Sequence, residues 1–170
     1  MFKKLFMSMS LSILVLLVST TGFAQTSYVP QGKFVTPMLM HDTHSLNLTQ
    51  TEFILTNITG SLVHCNIKVF DQNGNDVSSY SQVISGPSQG TVSVISTGGE
   101  FDIPAHCSRW YVFGLRTSSG IGSFGYAIIN WTAEDSSLTK ALIGDKFYKG
   151  AMGSGLGYAG CYPLNSGNPF

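Results

Sequence analysis

A few histidine and cysteine side chains stand close enough in the sequence to suggest metal binding or catalysis. A His-Asp-Thr-His segment begins at residue 41, and His64 and His106 each precede a cysteine. An imidazole and a thiolate together can bind zinc or copper. Neighbouring residues of a β-strand point to opposite faces, however, so His64 and Cys65 are not expected to bind the same ion. We interpret these histidines as surface groups and predict no metal site and no cofactor.

Several segments match functional motifs without the structure that those motifs need. Residues 86–90 match the Gly-x-Ser-x-Gly pattern of a nucleophile elbow, which requires a helix after the serine, whereas a strand is predicted there. Residues 120–125 and 155–160 match a dinucleotide-binding pattern, but neither opens a helix. Residues 71–76 resemble part of a calcium loop whose glycine is misplaced. We therefore predict no catalytic residue and a non-enzymatic protein.

The cysteines Cys65, Cys107 and Cys161 are expected to meet oxidising conditions if the protein is secreted. Each way of pairing two of them leaves one thiol over. We favour a Cys65–Cys107 disulfide because both residues follow a histidine and lie at or near a predicted strand, whereas Cys161 lies in a glycine-rich tail. Cys161 would then remain a free thiol or pair with another chain.

The first 24 residues have the three parts of a secretory signal peptide. Lys3 and Lys4 give a positive start, Leu11–Val18 is an apolar run, and a Gly-Phe-Ala sequence then supplies small residues for cleavage. The short two-lysine start is typical of bacteria. We expect residues 1–24 to be removed and the mature protein to be secreted, periplasmic or at the cell surface. No further segment is long enough to be predicted as a transmembrane helix.

The composition argues against a nucleic-acid-binding protein. The chain has nine Lys and Arg residues and nine Asp and Glu residues, so its formal net charge is zero. Loss of the two signal-peptide lysines would make the mature chain weakly acidic, without the basic surface that nucleic-acid binding requires. Charged residues make up only 11% of the chain. Few charges are then left to keep β-strands from associating at their edges.

Short apolar segments rich in β-branched and aromatic residues, separated by turn residues, predict an all-β protein. In the clearest segment Val63, Cys65 and Ile67 alternate with polar residues. About eight such strands at regular spacing indicate a single antiparallel β-sandwich over residues 25–149. The glycine-rich residues 150–170 are expected to form an extended tail that packs on or extends this domain. The predicted strands are Lys33–Met40, Thr51–Asn57, Leu62–Phe70, Val77–Ile84, Thr91–Ser96, Arg109–Arg116, Gly125–Thr132 and Leu138–Tyr148.

The turn after the third predicted strand refines this architecture. Asp71–Asp76 contains Asn73-Gly74, the strongest short signal for a hairpin, and Asn57 closes the preceding strand. This layout resembles immunoglobulin-like secreted modules over residues 33–148. The resemblance implies an immunoglobulin-like sandwich and carries no function with it.

Two predicted strands are apolar on both faces and mark a candidate interaction surface. A strand with one wet face alternates apolar and polar residues, but the segments around Trp110 and Tyr126 do not. Either the glycine-rich tail or a loop covers the outer face, or the aromatic side chains are exposed to a partner. The aromatic residues of this surface are Trp110, Tyr111, Phe113, Tyr126 and Trp131.

These features favour a secreted structural, adhesive or interaction module that binds another secreted or surface protein or itself. Pairing at a sheet edge, or donation of residues 164–170 as an extra strand, would be the mechanism. The alternative is an extracellular carbohydrate- or small-ligand-binding module whose exposed aromatic side chains stack on sugar rings.

Overall fold

The computed structural model covers five stretches of the chain, and the predicted signal peptide lies outside them. The described residues are 29–41, 47–88, 91–114, 123–152 and 156–170. They form ten β-strands and no α-helix, and none of their helical turns is long and apolar enough to cross a membrane. The strands are β1 (Gly32–His41), β2 (Asn47–Asn57), β3 (Val63–Asp71), β4 (Ser81–Ser88), β5 (Thr91–Thr97), β6 (Glu100–Ile103), β7 (Ser108–Phe113), β8 (Ser123–Ala133), β9 (Leu142–Met152) and β10 (Leu156–Pro163).

The strands form two antiparallel sheets, which confirms the prediction of an all-β protein. The four-stranded sheet has the order β1-β8-β3-β6, and the six-stranded sheet has the order β10-β9-β2-β7-β4-β5. Two strands were not predicted from the sequence. β6 has only four residues, and β10 contains glycine at two of its positions, which weakens its β-propensity. An immunoglobulin-like arrangement stays a prediction.

The core lies between the two sheets because the strands alternate buried and more exposed side chains. In β3, Val63, Cys65 and Ile67 are buried and the residues between them are not, as the sequence pattern predicts. Across the core, the rings of Phe101 in β6 and Tyr111 in β7 stack with 6.2 Å between their centroids. The buried core side chains are Phe53, Leu55, Val63, Cys65, Ile67, Val69, Val83, Phe101, Ile103, Tyr111, Phe113, Ala127, Ile129, Trp131, Ala141, Leu142, Leu164 and Phe170.

The chain turns after β3 as predicted, but β4 does not return beside β3 as a hairpin strand. Gly74 has a φ of +82°, and its N–H donates to the Asp71 carbonyl at 3.1 Å. The returning chain pairs with β3 through a single bridge between Phe70 and Asp76. A short 3-10 turn over residues 78–80 then leads into the other sheet. The predicted hairpin is replaced by this crossover because β4 finds two partners there, β5 and β7.

Asn57 fastens the end of β2 to the turn that follows β6. Its side-chain amide donates to the carbonyl oxygens of Ser61, Ile103 and Pro104 at 2.7–3.1 Å. Its side-chain oxygen accepts hydrogen bonds from the N–H and the hydroxyl of Thr59. Asn57 is fully buried, and these bonds compensate for the loss of water around its amide.

The glycine-rich C-terminal segment is part of the fold. β10 pairs with β9 and forms one edge of the six-stranded sheet. Beyond it, Leu164 and Phe170 are buried, and the backbones of Phe170 and Leu142 exchange hydrogen bonds of 2.9 and 3.0 Å. The Phe170 ring also lies 5.0 Å from the ring of Phe34, measured between centroids. Residues 164–170 thus contribute to this chain's own core, and their donation to a partner stays a prediction.

Candidate functional site

The five aromatic residues of the predicted interaction surface divide between the core and the exterior. Tyr111, Phe113 and Trp131 are buried on inner faces and are not available to a partner. Trp110 and Tyr126 lie on outer faces and remain accessible. Because successive strand residues point to opposite faces, a strand that is apolar throughout does not reveal which side is the inner one.

Burial keeps two core groups neutral. The pKa of the Tyr111 phenol is raised by desolvation, which outweighs the opposing hydrogen bond of 2.6 Å with the Ser81 hydroxyl. Burial, with the nearby negative charge of Asp102, also raises the pKa of the Cys65 thiol. Neither group can therefore serve as an anionic nucleophile or a base near neutral pH.

Polar contacts fix Trp110 on the outer face of the six-stranded sheet. Its indole N–H donates to Glu52 Oε2 at 2.9 Å, and Lys149 forms an ion pair with the other carboxylate oxygen. The Lys149 ammonium lies 5.7 Å from the centroid of the indole, a cation–π distance. Glu52 is buried although it lies on an outer face. In the six-stranded sheet β9 and β2 lie between β10 and β7, the strand that carries Trp110.

Trp110 also belongs to a line of apolar side chains that crosses this outer face. Trp110 pairs with Ile54 of β2 on one side and with Ile84 of β4 on the other, and Ile84 pairs with Val94 of β5. Directly paired residues of antiparallel strands carry their side chains on the same face. We name Ile54, Trp110, Ile84 and Val94 the apolar row. The row runs to the edge of the sheet and ends at Val94.

The outer face of the four-stranded sheet is polar at the end where β6 lies. His64 Nδ1 and Asp102 Oδ1 are 2.6 Å apart, and the Asn66 amide donates to Glu100 Oε1 at 2.9 Å. These residues face each other across the β3–β6 ladder. The pair of His64 and Asp102 is exposed to solvent, and no serine or cysteine nucleophile stands in register with it.

The other half of this face is an exposed apolar surface. Phe70 and Tyr126 are paired across β3 and β8, and their rings stack with 5.2 Å between centroids. Phe124 on the same face is 63% exposed, and Val35 of β1 is 48% exposed. We name Val35, Phe70, Phe124 and Tyr126 the aromatic patch. Its members come from three strands that are distant in the sequence. For that reason the sequence analysis identified only Tyr126 among them.

Among the described residues, four edge strands differ in their protection against pairing with another chain. Charges, prolines, bulges and short length all discourage a further strand from adding to an edge. β6 has only four residues, and Glu100 and Asp102 are exposed on it. β1 carries Lys33 and Pro37, with a register shift after the proline. β10 is interrupted by glycines and ends at Pro163.

β5 is the least protected of these edges. Thr91–Thr97 has seven residues and contains no charged residue, no proline and no glycine. Val92 is 49% exposed, Val94 is 53% exposed and Ile95 is 44% exposed. Its protecting feature is a bulge, because the β4–β5 register shifts on both sides of Ile84. A strand of this composition at a sheet edge offers unpaired backbone groups to another extended chain.

Sequence reasoning located β5 as a strand but not as an edge. Edge position depends on the order of strands in the sheet, and a single sequence does not reveal that order. The sequence signal that could have marked β5 as an open edge is its lack of charged residues and proline over a whole predicted strand. Glu100 and Asp102, which follow β5 closely in the chain, show how an edge is marked with charges.

The three cysteines are free thiols in the structure. Cys65 is buried in β3 between its register neighbours Phe101 and Trp131. Cys107 is half-buried against the core beyond the end of β6, and Cys161 is exposed on β10. The Cys65–Cys107 disulfide and the pairing of Cys161 with another chain both stay predictions.

The remaining chemical motifs do not assemble into a site within the described stretches. The pKa of Asp71 is lowered by hydrogen bonds from the side chain and backbone of Asn75 and from the backbone of Asn73, so its oxygens hold the turn together. The described residues include no group of three or more His, Cys, Asp and Glu that could bind a metal. The Ser88 side chain and the side chains of the His-Asp-Thr-His segment lie outside the described part.

No protein-family model matches the chain. No curated protein and no solved structure is significantly similar to it. The surfaces of the described residues are therefore the basis on which a function can be proposed.

Proposed function

We propose that this protein is a secreted, non-enzymatic interaction module with an immunoglobulin-like sandwich, and that it associates through its β5 edge. The observation that carries this proposal is an uncharged, seven-residue edge strand with exposed valine and isoleucine side chains. The predicted signal peptide supports a place outside the cytoplasm, at the cell surface or in the medium. The partner is another secreted protein or a second copy of the chain.

The physical mechanism is addition of a strand to the six-stranded sheet. Backbone N–H and C=O groups of β5 that point away from β4 would pair with an incoming extended chain, which supplies most of the affinity. Val92, Val94 and Ile95 would lose exposed apolar surface on contact. No charged side chain of β5 has to leave water, so there is no large desolvation cost to offset this gain.

The chemistry of the described residues supports a non-enzymatic role. Glu52 is occupied by Trp110 and Lys149, and Asp71 is occupied by its own turn. A catalytic site needs a poised nucleophile or acid–base pair that converges on a space for substrate. The His64–Asp102 pair is exposed to solvent on the β3–β6 ladder.

The test is the self-association of the secreted protein, measured by sedimentation velocity over a wide concentration range. Val94→Lys places a charge on the β5 edge, and Val35→Lys places the same charge at a position of nearly equal exposure on the other sheet. We expect Val94→Lys to weaken association at least about tenfold, in keeping with a charge set against an edge strand, and Val35→Lys to leave it unchanged. Equal association by Val94→Lys and the unmodified protein would overturn the proposal.

A carbohydrate-binding function is the second candidate, and the aromatic patch favours it. Tyr126 and the 63% exposed Phe124 offer aromatic surface beside the polar half of the same sheet face, where Asn66 and Glu100 could bind hydroxyl groups. Trp110 is a weaker candidate for sugar stacking because Lys149 lies over its ring. Binding on a glycan array that Tyr126→Ala abolishes would support this function, and an array without signal removes it.

A further inference from the structure

The β5 edge and the apolar row together identify the strand that would add to this sheet. We infer that β5 pairs antiparallel with β5 of a second copy, about a two-fold axis that passes through Val94. This inference rests on the proposed function, because it names the occupant of the same edge. The product would be a closed dimer with one continuous sheet of both six-stranded halves.

The apolar row sets the position of the axis. The row reaches the edge at Val94, which pairs with Ile84, which in turn pairs with Trp110. A two-fold axis perpendicular to the sheet at Val94 places the two Val94 side chains opposite each other on the same face. The row of one copy then continues directly into the row of the other. A shift of the axis along the strand would move the two Val94 side chains out of direct register and break this continuity.

Val94 is also the middle residue of β5, so an axis there uses the whole strand. Three residues lie on each side of it, Thr91 to Ser93 and Ile95 to Thr97. Every direct pair that results contains small or β-branched side chains, and none brings like charges together. The pairs between copies are Val94 with Val94, Ser93 with Ile95, Val92 with Ser96 and Thr91 with Thr97.

The bulge in the β4–β5 ladder is compatible with this arrangement. The register passes from Val83–Ser96 to Ile84–Val94, so Ile95 is the extra residue of β5. The extra residue twists the strand locally, and its side chain is 44% exposed. In the dimer this side chain would lie against the small Ser93 of the other copy, which leaves room for it.

Charges on the β6 and β1 edges favour a second β5 as the partner, and a two-fold contact would stop the assembly at two copies. Pairing β5 with β6 of another copy would bring Glu100 and Asp102 into the interface, and pairing with β1 would bring Lys33. The β5–β5 contact avoids all of these charges. A two-fold contact uses the same patch on both copies and closes the assembly, since it occupies both unprotected edges.

Cysteine cross-linking tests the register of this dimer. Val94→Cys and Val92→Cys are matched variants, because the two valines are 53% and 49% exposed on the same strand. Both variants also carry Cys161→Ser, which removes the exposed thiol of β10. Directly paired residues lie about 4.5–5.5 Å apart between Cα atoms, within reach of a disulfide. The two Val92 positions would lie about 13 Å apart, four residues along the strand, and out of reach.

We expect mild oxidation to give at least about ten times more covalent dimer for Val94→Cys than for Val92→Cys, in line with these separations. Equal or greater cross-linking of Val92→Cys would overturn the register. Absence of a Val94→Cys dimer would overturn the inference as well. If Val94→Lys still weakens association in that case, the β5 edge binds a different strand or register and the proposed function stands. If Val94→Lys has no effect, the proposed function fails too.

Discussion

β5 and β6 are both edge strands, and they are almost opposite in character. β6 has four residues, of which Glu100 and Asp102 are acidic and engage Asn66 and His64 of the neighbouring strand. β5 has seven residues and no charge. In a chain with only 11% charged residues, two of the nine carboxylates thus stand on the shorter edge. The β6 edge is therefore protected against pairing with another chain, whereas the β5 edge is open to it.

β5 and β6 follow one another in the chain, although they lie in different sheets. A Gly98-Gly99 turn joins β5 to β6, and the Ser96 hydroxyl donates to the Glu100 carbonyl at 2.7 Å. Gly98 has a φ of +88°, and a Cβ on Gly99 would lie only 1.9 Å from the Ile67 carbonyl oxygen. The tight turn requires both glycines and carries the chain from the six-stranded to the four-stranded sheet.

The largest effect, on the size of the assembly, is expected from removing the charges that protect the β6 edge. The double variant Glu100→Thr with Asp102→Val would give the protein a second uncharged edge, so its assembly should continue beyond the dimer. Light scattering would then show species of growing mass. Glu134→Thr removes an exposed charge beyond the end of β8 and should leave the size unchanged. A double variant no larger than the unmodified protein would contradict the role of these carboxylates.

A smaller effect, on the free energy of unfolding, is expected from weakening the contacts of Glu52 that hold Trp110 in the apolar row. Glu52→Gln keeps the volume of the side chain but removes the ion pair with Lys149 and weakens the hydrogen bond from Trp110. We expect a loss of about 1–3 kcal/mol in the free energy of unfolding, the usual cost of disturbing a buried hydrogen-bonded charge. Urea denaturation measures it, with Glu134→Gln as the exposed control. A change below about 0.5 kcal/mol would show that Trp110 does not depend on this anchor.

Acid should separate the stability of the fold from association at β5. The pKa of Asp71 is lowered by its bonds to Asn75 and Asn73, and the pKa of Asp135 is lowered by the side chain and backbone of Ser137. A carboxyl group with a lowered folded pKa stabilises the fold above its unfolded pKa, near about 3.9, and loses that contribution as the pH falls through the folded value.

Thermal melts should therefore show decreasing stability below about pH 4, and Asp71→Asn should flatten that decrease. β5 contains no titratable side chain, so its association should vary less than about twofold between about pH 5 and pH 8. Association that changes about tenfold over that range would place a titrating group in the interface and contradict pairing through β5 alone.

The smallest effect is expected from salt on the dissociation constant for association through β5. Screening weakens interactions between exposed charges, and none lies on β5. We expect the dissociation constant to change less than about twofold between low and high sodium chloride, as measured by sedimentation velocity. A steep loss of affinity with salt would show that charged residues outside β5 carry the contact.

The sequence predicted much of the fold but little of the surface. The alternation of Val63, Cys65 and Ile67 has a period that only a half-buried strand explains, so β3 was found and its inner face assigned. Trp110 and Tyr111 show the limit of that reasoning. Both are aromatic and adjacent, and only packing against the second sheet buries Tyr111 and leaves Trp110 outside.

Non-local pairing determined the rest. The glycine-rich residues 150–170 were predicted only as an extended tail that packs on or extends the domain. In the structure β10 pairs with β9, and Leu164 and Phe170 are buried. The apolar row and the aromatic patch are likewise products of register, because their members are distant in the chain. β5 could be read as a strand, but its position at an edge depends on where β4 finds its partners.

Hydrogen–deuterium exchange as a function of protein concentration tests the central contrast most directly. We predict that amide protons of Thr91–Thr97 exchange more slowly as concentration rises, while those of Glu100–Ile103 exchange at a constant rate. Val94→Lys should abolish the concentration dependence. Exchange in β5 that does not change with concentration, or that slows equally in β6, would contradict the claim that β5 alone of these two edges is open to a further strand.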